Sequence, residues 1–448
     1  MSGSDLVDVH PGRQRGALAA AALITVPAFL TRFAGLDAAH PVEALFFGLA
    51  IVGAAFALSW AAETAQLDIS AGLAIAILAL IAVLPEYAVD FVFASQGGNS
   101  FQADPSCPPL PGGGRESPCD LALANMTGAN RLLIGIGWSM VVFIAWSRLR
   151  RRNGGSERWA GIRLTREHSI ELAFLFAATL YSLTLPLKHS ITLIDTLILV
   201  GLFAAYTWRV SRAPAEEPHL VGPARYLGTF RPVIRRTWVI GLFVASGAVI
   251  WMFAERFAHA LVQTGTEVGI SEFVLVQWLA PLASEAPELL VAGLFAWRLN
   301  TNAGLGTLVS SKVNQWTLLV GTLPLVFAIA SASTHGLPIS DLQREELFLT
   351  AAQSFFAVAI MSNLTLSLRE AGALFGLFWA QFILGAFVPE SVHGTERITV
   401  AILYLVLGVV VLIRDRKRIP RLVRDGFAAS HDELASSPVE VDPGARLT

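Results

Sequence analysis

Apolar runs about as long as a bilayer is thick recur along this sequence, and no other feature restricts its fold as much. A helix needs roughly 20 largely apolar residues to cross ~30 Å of hydrocarbon. Twelve such runs can be marked, near 17–33, 42–65, 71–95, 121–146, 170–187, 191–210, 238–261, 273–297, 305–332, 347–366, 371–388 and 398–413. The 448 residues are 54% hydrophobic and 15% charged, where soluble domains run at roughly 25% charged. A chain this poor in charge has no surface with which to cover a core of that size in water. Inside lipid every backbone polar group must be satisfied within the structure, and long apolar runs do that as helices. The expected class is an all-α polytopic membrane protein of about twelve transmembrane helices.

The net charge of −2 says little, but the arginines are unevenly placed. Segment 148–167 holds seven Arg against two Glu, segment 209–236 six Arg against two Glu, and segment 414–424 six basic residues against one Asp. The loops between them are short, neutral or acidic, such as "QTGTEVGISE" at 263–272. Basic loops stay on the cytoplasmic side, and twelve spans put all three clusters there together with both termini. A bacterial-type inner or plasma membrane is the expected location. Cys107 and Cys119 lie in "SCPPLPGGGRESPCDL", a segment this topology places outside, and a loop-closing disulfide is expected there. Arg13 and Arg15 ahead of an apolar run have some look of a signal peptide, but an uncleaved first span is expected. From Ala428 the chain turns polar and is expected to be disordered.

Two regions of the chain are alike. "AVLPEYAVDFVFA" at 82–94 and "ASEAPELLVAGLFA" at 283–296 each place a Pro-Glu pair ahead of an apolar helix. Each is followed by a span opening on small and amide residues, "ALANMTGANRLLIGIGW" at 122–138 and "GLGTLVSSKVNQWTLLVG" at 304–321. The Pro-Glu pairs fall in the third and eighth spans, an odd separation, so the two helices are expected to run in opposite directions. The sequence thus divides into an extra N-terminal span (1–41), a first five-helix repeat (42–210), an Arg-rich linker (211–237), an inverted second repeat (238–388), an extra C-terminal span with a basic segment (389–427) and the tail (428–448). Inverted repeats place binding sites near the midplane, where broken helices from both halves meet. Pro85 and Pro287 are expected to release the carbonyls of Ile81 and Ala283, since proline has no amide hydrogen to offer them.

A carboxylate at the bilayer centre costs about 2.5–3.5 kcal/mol on insertion scales, so the acids in these helices are expected to be functional. Glu86 and Asp90 share a helical face, as do Glu285 and Glu288. Carboxylates beside carbonyls form the hard oxygen set that Ca²⁺ and Na⁺ prefer. Asn125, Thr127 and Asn130, with Ser310, Ser311 and Asn314 in the other half, add neutral oxygens, although each also serves as interhelical glue. Lys312, one of three lysines in the chain, lies well inside a span and must pair with a carboxylate or lose its proton. Arg131 stands in a comparable region. Glu43, Glu63, Glu171, Asp195, Glu255 and Glu272 lie nearer span ends or lack a counterpart in the other repeat.

On these residues the chain resembles the calcium/cation antiporter superfamily, which includes the sodium/calcium exchangers. The superfamily pairs a "G-T-S-x-P-E" helix with a "G-N-x-x-G-S-N" helix in each repeat. Here the first repeat reads "I-A-V-L-P-E" (81–86) and "A-N-M-T-G-A-N" (124–130), the second "A-S-E-A-P-E" (283–288) and "G-T-L-V-S-S-K" (306–312). The resemblance implies that Glu86 and Glu288 are the central cation-binding carboxylates and the metal-contacting pair. It implies ligand roles for Ser284, Asn125, Asn130 and Ser311, and aligns Lys312 with a closing asparagine. The first repeat lacks the Gly-Thr-Ser, Glu285 adds a carboxylate where serine is usual, and Lys312 replaces a neutral amide.

The expected function is secondary-active exchange of Ca²⁺ or Na⁺ against Na⁺ or H⁺ by alternating access at a midplane site. Lys312 would be charge-compensating, paired with Glu285. The alternatives are a proton-coupled Na⁺ exchanger and a channel-like or non-transporting derivative of the fold. The transported Ca²⁺, Na⁺ or H⁺ are the expected partners besides lipid, with no cofactor and no nucleic acid. The sequence has no phosphate-cradling G-x-x-x-x-G-K-[ST] and neither H-E-x-x-H nor G-x-S-x-G, the signatures that would have pointed to nucleotide-driven or hydrolytic chemistry.

Overall fold

The computed structural model describes residues 11–35, 38–68, 84–108, 116–152, 159, 161–212, 220, 222–269, 271–387 and 392–435. The start of the expected third span at 71–83, with "I-A-V" of its motif, lies outside them, as does the tail beyond 435. The fold is an all-α bundle of membrane-length helices, with two short two-residue ladders. Among the described residues eight helices are long and apolar enough to cross a membrane, and Phe273–Ser284 with Ala286–Trp297 makes a ninth, bent by 53° at its break. Leu84–Ala103, Asp341–Met361 and Leu368–Phe387 are further helices of 20 or 21 residues that do not count among those eight. Asp341–Met361 opens on the polar sequence DLQREE, yet almost all of it from Gln343 onward is buried.

Local sequence sets the helix ends. Ser117 accepts a hydrogen bond from the Cys119 amide ahead of Pro118–Leu132, with a proline in its first turn. Thr192 and Asp195 cap Leu193–Val210 reciprocally. Pro232–Val268 is the longest helix at 37 residues and ends at Gly269, whose φ of 72° suits glycine. At 1.5 Å per residue it is about 55 Å long, more than the hydrocarbon thickness, so it must tilt or project from the membrane.

Five helices position the centre of the molecule. His40–Ala65 lies along Pro232–Val268, and Pro118–Leu132 is packed between Leu84–Ala103 and Glu272–Ser284. The last contact is very close: a Cβ on Gly128 would stand 1.6 Å from the Gln277 carbonyl oxygen. Two long helices each contain a π turn, Leu133–Trp138 after Pro118–Leu132 and Gln315–Leu319 after Thr301–Asn314. Two-residue antiparallel ladders join Ile162–Arg163 to Thr365–Leu366 and Ser190–Ile191 to Leu337–Pro338.

Cys107 and Cys119 form a disulfide with Cα atoms 6.3 Å apart. One expectation needs correction. The tail is not disordered from Ala428: His431–Ala435 is a helix, Ala429 and Leu434 are buried, and Arg424 reaches Glu433 at 2.9 Å. Within the Arg-rich segment 211–237, Pro223–Gly228 is helical and the next long helix begins at Pro232.

Candidate cation site

The second Pro-Glu helix breaks at Glu285 rather than at the proline. Glu285 has φ −82° and ψ −9°, and Pro287 falls in the first turn of Ala286–Trp297, where a missing amide costs nothing. The Glu285 amide donates to the Pro281 carbonyl at 2.8 Å, and its own carbonyl accepts from Leu289 at 3.0 Å. The chain therefore turns with its backbone bonded on either side of Glu285, and the bend delivers Ser284, Glu285 and Glu288 to one place.

Glu86 comes to that place from the other half. It is 2% exposed, and its carboxyl lies within hydrogen-bonding reach of Ser284 and Glu285. Ser284 also donates back to its own helix, at 3.2 Å from the Ala280 carbonyl oxygen. Glu285 is fully buried and accepts from Gln315 Nε2. Glu288 is half-buried, but its Oε2 is shielded from solvent, and it interacts electrostatically with Glu86 and with Glu63. Farther along the first Pro-Glu helix, Asp90 accepts from Asn125 Nδ2 at 2.8 Å and senses the charge of Glu86.

Lys312 and Asn130, the two residues that close the second motif of each repeat, touch. The ammonium donates at 2.6 Å to both the side-chain and the backbone oxygen of Asn130 and lies 5.4 Å from the Trp316 ring. It interacts electrostatically with Glu285, but among the described residues its direct partners are neutral. The expected Lys312–Glu285 ion pair is thus a longer-range contact. The reason is geometric: the amide of Gln315 occupies one Glu285 oxygen, while Asn130 presents two oxygens to the ammonium.

The remaining expected residues divide. Asn125 and Asn130 join the cluster, while Ser311 and Asn314 are buried on Thr301–Asn314, and Ser311 makes no hydrogen bond to these acids among the described residues. Thr127 accepts from Gln277 at 3.3 Å, and Ser310 bonds Tyr206 at 2.7 Å. Asp195 is a helix cap bonded to Lys188 and Tyr181. Glu255 and Arg256 both face outward. Sequence reasoning missed Gln315 as the partner of Glu285 and set Glu63 aside. Neither has a matching residue in the other motif, so no local pattern marked them.

Arg131 neither snorkels nor joins the acids of the Pro-Glu helices. Its guanidinium donates to Glu346 Oε2 at 2.8 Å and to Gln381 Oε1, and stacks 5.1 Å from the Trp278 ring. Gln277 donates to the same Glu346 oxygen at 2.9 Å, and Arg397 binds the other at 2.8 Å. This second buried network ties five helices together beside the site.

Oxygens stand ready at the cluster. Among the described residues, Glu86 Oε2, Asp90 Oδ2, Asn125 Oδ1, Glu285 Oε2, Glu288 Oε2 and Gln315 Oε1 are each buried without a hydrogen-bond partner. Buried polar atoms are seldom left so. An all-oxygen set of this kind suits a hard cation or protons, whereas a thiophilic metal would need sulfur or imidazole. Among the described residues no three acidic, imidazole or thiol groups converge as a metal-holding group. The acids stand as electrostatic neighbours, with Asp90 and Glu285 bonded to amides, and do not make a closed ligand shell.

Known proteins resemble this one over most of its length. The family described as sodium/calcium exchanger protein matches residues 42–212 and 238–388. A crystal structure described as that of the H⁺/Ca²⁺ exchanger CAX is 40% identical, covers 95% of this chain and 99% of its own, and superposes with a TM-score of 0.82. The native structure of YfkE shares the fold at a TM-score of 0.56 and 14% identity, over 88% of this chain and all of its own. A putative antiporter, CaxA of Alkalimonas amylolytica, is 27% identical over 96 residues, which make up 21% of this chain and 30% of that protein. From two matched segments that contain both Pro-Glu helices and both partner helices, the chain belongs to the sodium/calcium exchanger protein family.

Proposed function

We propose that the protein is a secondary-active cation antiporter that exchanges Ca²⁺ for H⁺ at Glu86 and Glu288, with Glu285, Asp90 and the amides of Asn125 and Gln315 around them. One observation carries this reading: acids from the two Pro-Glu helices, far apart in sequence, meet in the buried centre with unpartnered oxygens. The relative described as an H⁺/Ca²⁺ exchanger, at 40% identity, favours Ca²⁺ and H⁺ over other ion pairs. Na⁺ as counter-ion is the second reading, supported by the family's description.

The cycle follows from charge. Ca²⁺ entering from one side is balanced by the carboxylates of Glu86 and Glu288. Reorientation of one half against the other exposes the ion to the opposite side, where it leaves. Returning with bare carboxylates would hold unpaired charges in low dielectric at a cost of several kcal/mol or more. Protonation removes that cost, so the return requires protons, and exchange prevails over leak. Lys312 contributes a fixed positive charge that lowers the number of mobile ions needed for balance.

Twelve spans in two inverted five-helix repeats, with both termini cytoplasmic, complete the reading. Contact between Asn130 and Lys312, residues at matching motif positions, supports it. Reconstituted flux with Ca²⁺, Na⁺, K⁺ and H⁺ gradients imposed separately is the test. Ca²⁺ uptake driven by an opposing proton gradient, absent in Glu86→Gln and in Glu288→Gln, is the expected result. Uncoupled single-channel conductance, or full uptake in both variants, would refute it.

A further inference from the structure

A groove of about 700 Å³ opens on the outer face of the bundle, between the first helix, His40–Ala65, Pro232–Val268 and the short helix Pro223–Gly228. None of the acids of the Pro-Glu helices lines it. One end is polar: the Nε of Arg15 donates to the Tyr226 hydroxyl at 2.8 Å, and the guanidinium lies 5.7 Å from that ring's centre. Trp238 stands at the same end, as tryptophan does at a membrane interface. The other end closes on Gly53, Ser246 and Val249, and the walls between are mainly alanine and leucine.

Its length matches a single leaflet. From Trp238 to Val249 the lining advances 11 residues along one helix, about 16 Å at 1.5 Å per residue. Half of a ~30 Å hydrocarbon core is the depth of one lipid's chains. The charge at the mouth is positive. Arg231 and Arg13 flank it in sequence, and the carboxylate at this end of the helix pair, Asp68, is already held by Arg235 at 2.7 Å and Arg236 at 3.0 Å.

We propose that this groove binds one anionic phospholipid of the arginine-rich leaflet, with its acyl chains against the alanine walls and its phosphate on Arg15. A guanidinium gives a phosphate two parallel charge-assisted hydrogen bonds, which a zwitterionic headgroup shares with its own cation. The lipid thereby fastens the first helix, whose 23-residue apolar stretch Pro11–Phe33 is largely exposed, to the helix pair behind it. The site does not depend on which ions the protein exchanges.

Native mass spectrometry of protein extracted from vesicles of equal phosphatidylglycerol and phosphatidylcholine tests the proposal. Wild type is expected to retain one phosphatidylglycerol, enriched roughly tenfold over phosphatidylcholine. Arg15→Gln should lose the enrichment yet still retain lipid, and Arg15→Lys should recover part of it. Ala57→Phe, which fills the groove with Arg15 intact, should lose the retained lipid of both kinds. A monodisperse elution profile and an unchanged thermal midpoint for Arg15→Gln keep that comparison free of folding effects. Equal retention of both lipids by wild type, enrichment unaltered by Arg15→Gln and Ala57→Phe, or displacement of the lipid by millimolar inorganic phosphate would each overturn the proposal.

Discussion

The Lys312 ammonium sits among acids but bonds to an amide. Fixed at 2.6 Å from two Asn130 oxygens, with Glu285 as its electrostatic neighbour, it offers the cluster, in its protonated form, a positive charge that does not diffuse away. Lys312→Asn removes that charge and leaves three acids, Glu86, Glu285 and Glu288, balanced by transported ions alone. Losing a positive neighbour makes protons harder for Ca²⁺ to displace. The pH giving half-maximal Ca²⁺ flux is expected to move upward by up to about one unit, the equivalent of ~1.4 kcal/mol. Flux measured over roughly pH 6 to 9, on either side of physiological pH, checks this, and an unshifted profile would mean that Asn130 insulates the ammonium from the acids. Glu346 presents the opposite case, an acid between two guanidinium groups, Arg131 at 2.8 Å and Arg397 at 2.8 Å. Glu346→Gln leaves Arg131 buried without a carboxylate, at about 3 kcal/mol, the lower end for a broken buried pair, because Glu345 still holds Arg397 at 3.0 Å. A lowered thermal midpoint with unchanged ion preference is expected. Altered preference at an unchanged midpoint would instead place Glu346 in the ion path.

Helices explain why much of this was readable and some was not. Apolar length is a property of single segments, so the helical spans could be marked without any knowledge of packing. The Pro-Glu pairs were equally plain, since each unites a breaker with a charge that lipid rejects. What the sequence concealed is contact between segments. Gln315 bonds Glu285 and Glu63 approaches Glu288, and neither can be known before the bundle is assembled. The break falls at Glu285 rather than at Pro287 because proline forbids a helix interior but suits a first turn. The paired π turns at Leu133–Trp138 and Gln315–Leu319 leave no composition signal, yet they occupy like places after Asn130 and Lys312, as such turns often do near functional sites. Gly128 was legible as a packing glycine, and its effect is now definite. The Gln277 carbonyl oxygen would lie 1.6 Å from an added Cβ, and backbone cannot yield as a side-chain tip does. Gly128→Ala is expected to push Pro118–Leu132 away from Glu272–Ser284, separating Asn125 and Asn130 from the acids. The measurable result is loss of most Ca²⁺-driven flux together with a lowered thermal midpoint. Wild-type flux in Gly128→Ala would mean that the two helices are not so closely apposed in the membrane.

At the scale of the molecule, contacts between loops constrain topology independently of arginine counting. Loops that touch lie on the same face of the bilayer, so an even number of crossings separates them in the chain. His40 meets Glu267 at 2.5 Å, Ser271 meets Glu116 at 2.9 Å, and Arg344 meets the Pro186 carbonyl oxygen at 2.9 Å. On the other face Asp68 meets Arg235 at 2.7 Å, and Ile162–Arg163 pairs with Thr365–Leu366. Twelve spans at the expected positions satisfy every one of these parities, with the disulfide loop opposite the arginines. These parities support the proposed count, although hydropathy alone marks eight or nine helices among the described residues, since a helix buried among others, such as Asp341–Met361, need not look apolar from end to end. Single cysteines test this in a Cys107→Ser, Cys119→Ser background. Gly12, Thr334 and Ser430 are exposed, and a membrane-impermeant maleimide applied to right-side-out vesicles should label Thr334→Cys but neither Gly12→Cys nor Ser430→Cys until the membrane is opened. Labelling of Gly12→Cys and Ser430→Cys from opposite sides would require an odd number of spans. The two Pro-Glu helices could then no longer belong to complete five-helix repeats with one added span at each end, and the shared centre of their acids would need a different explanation.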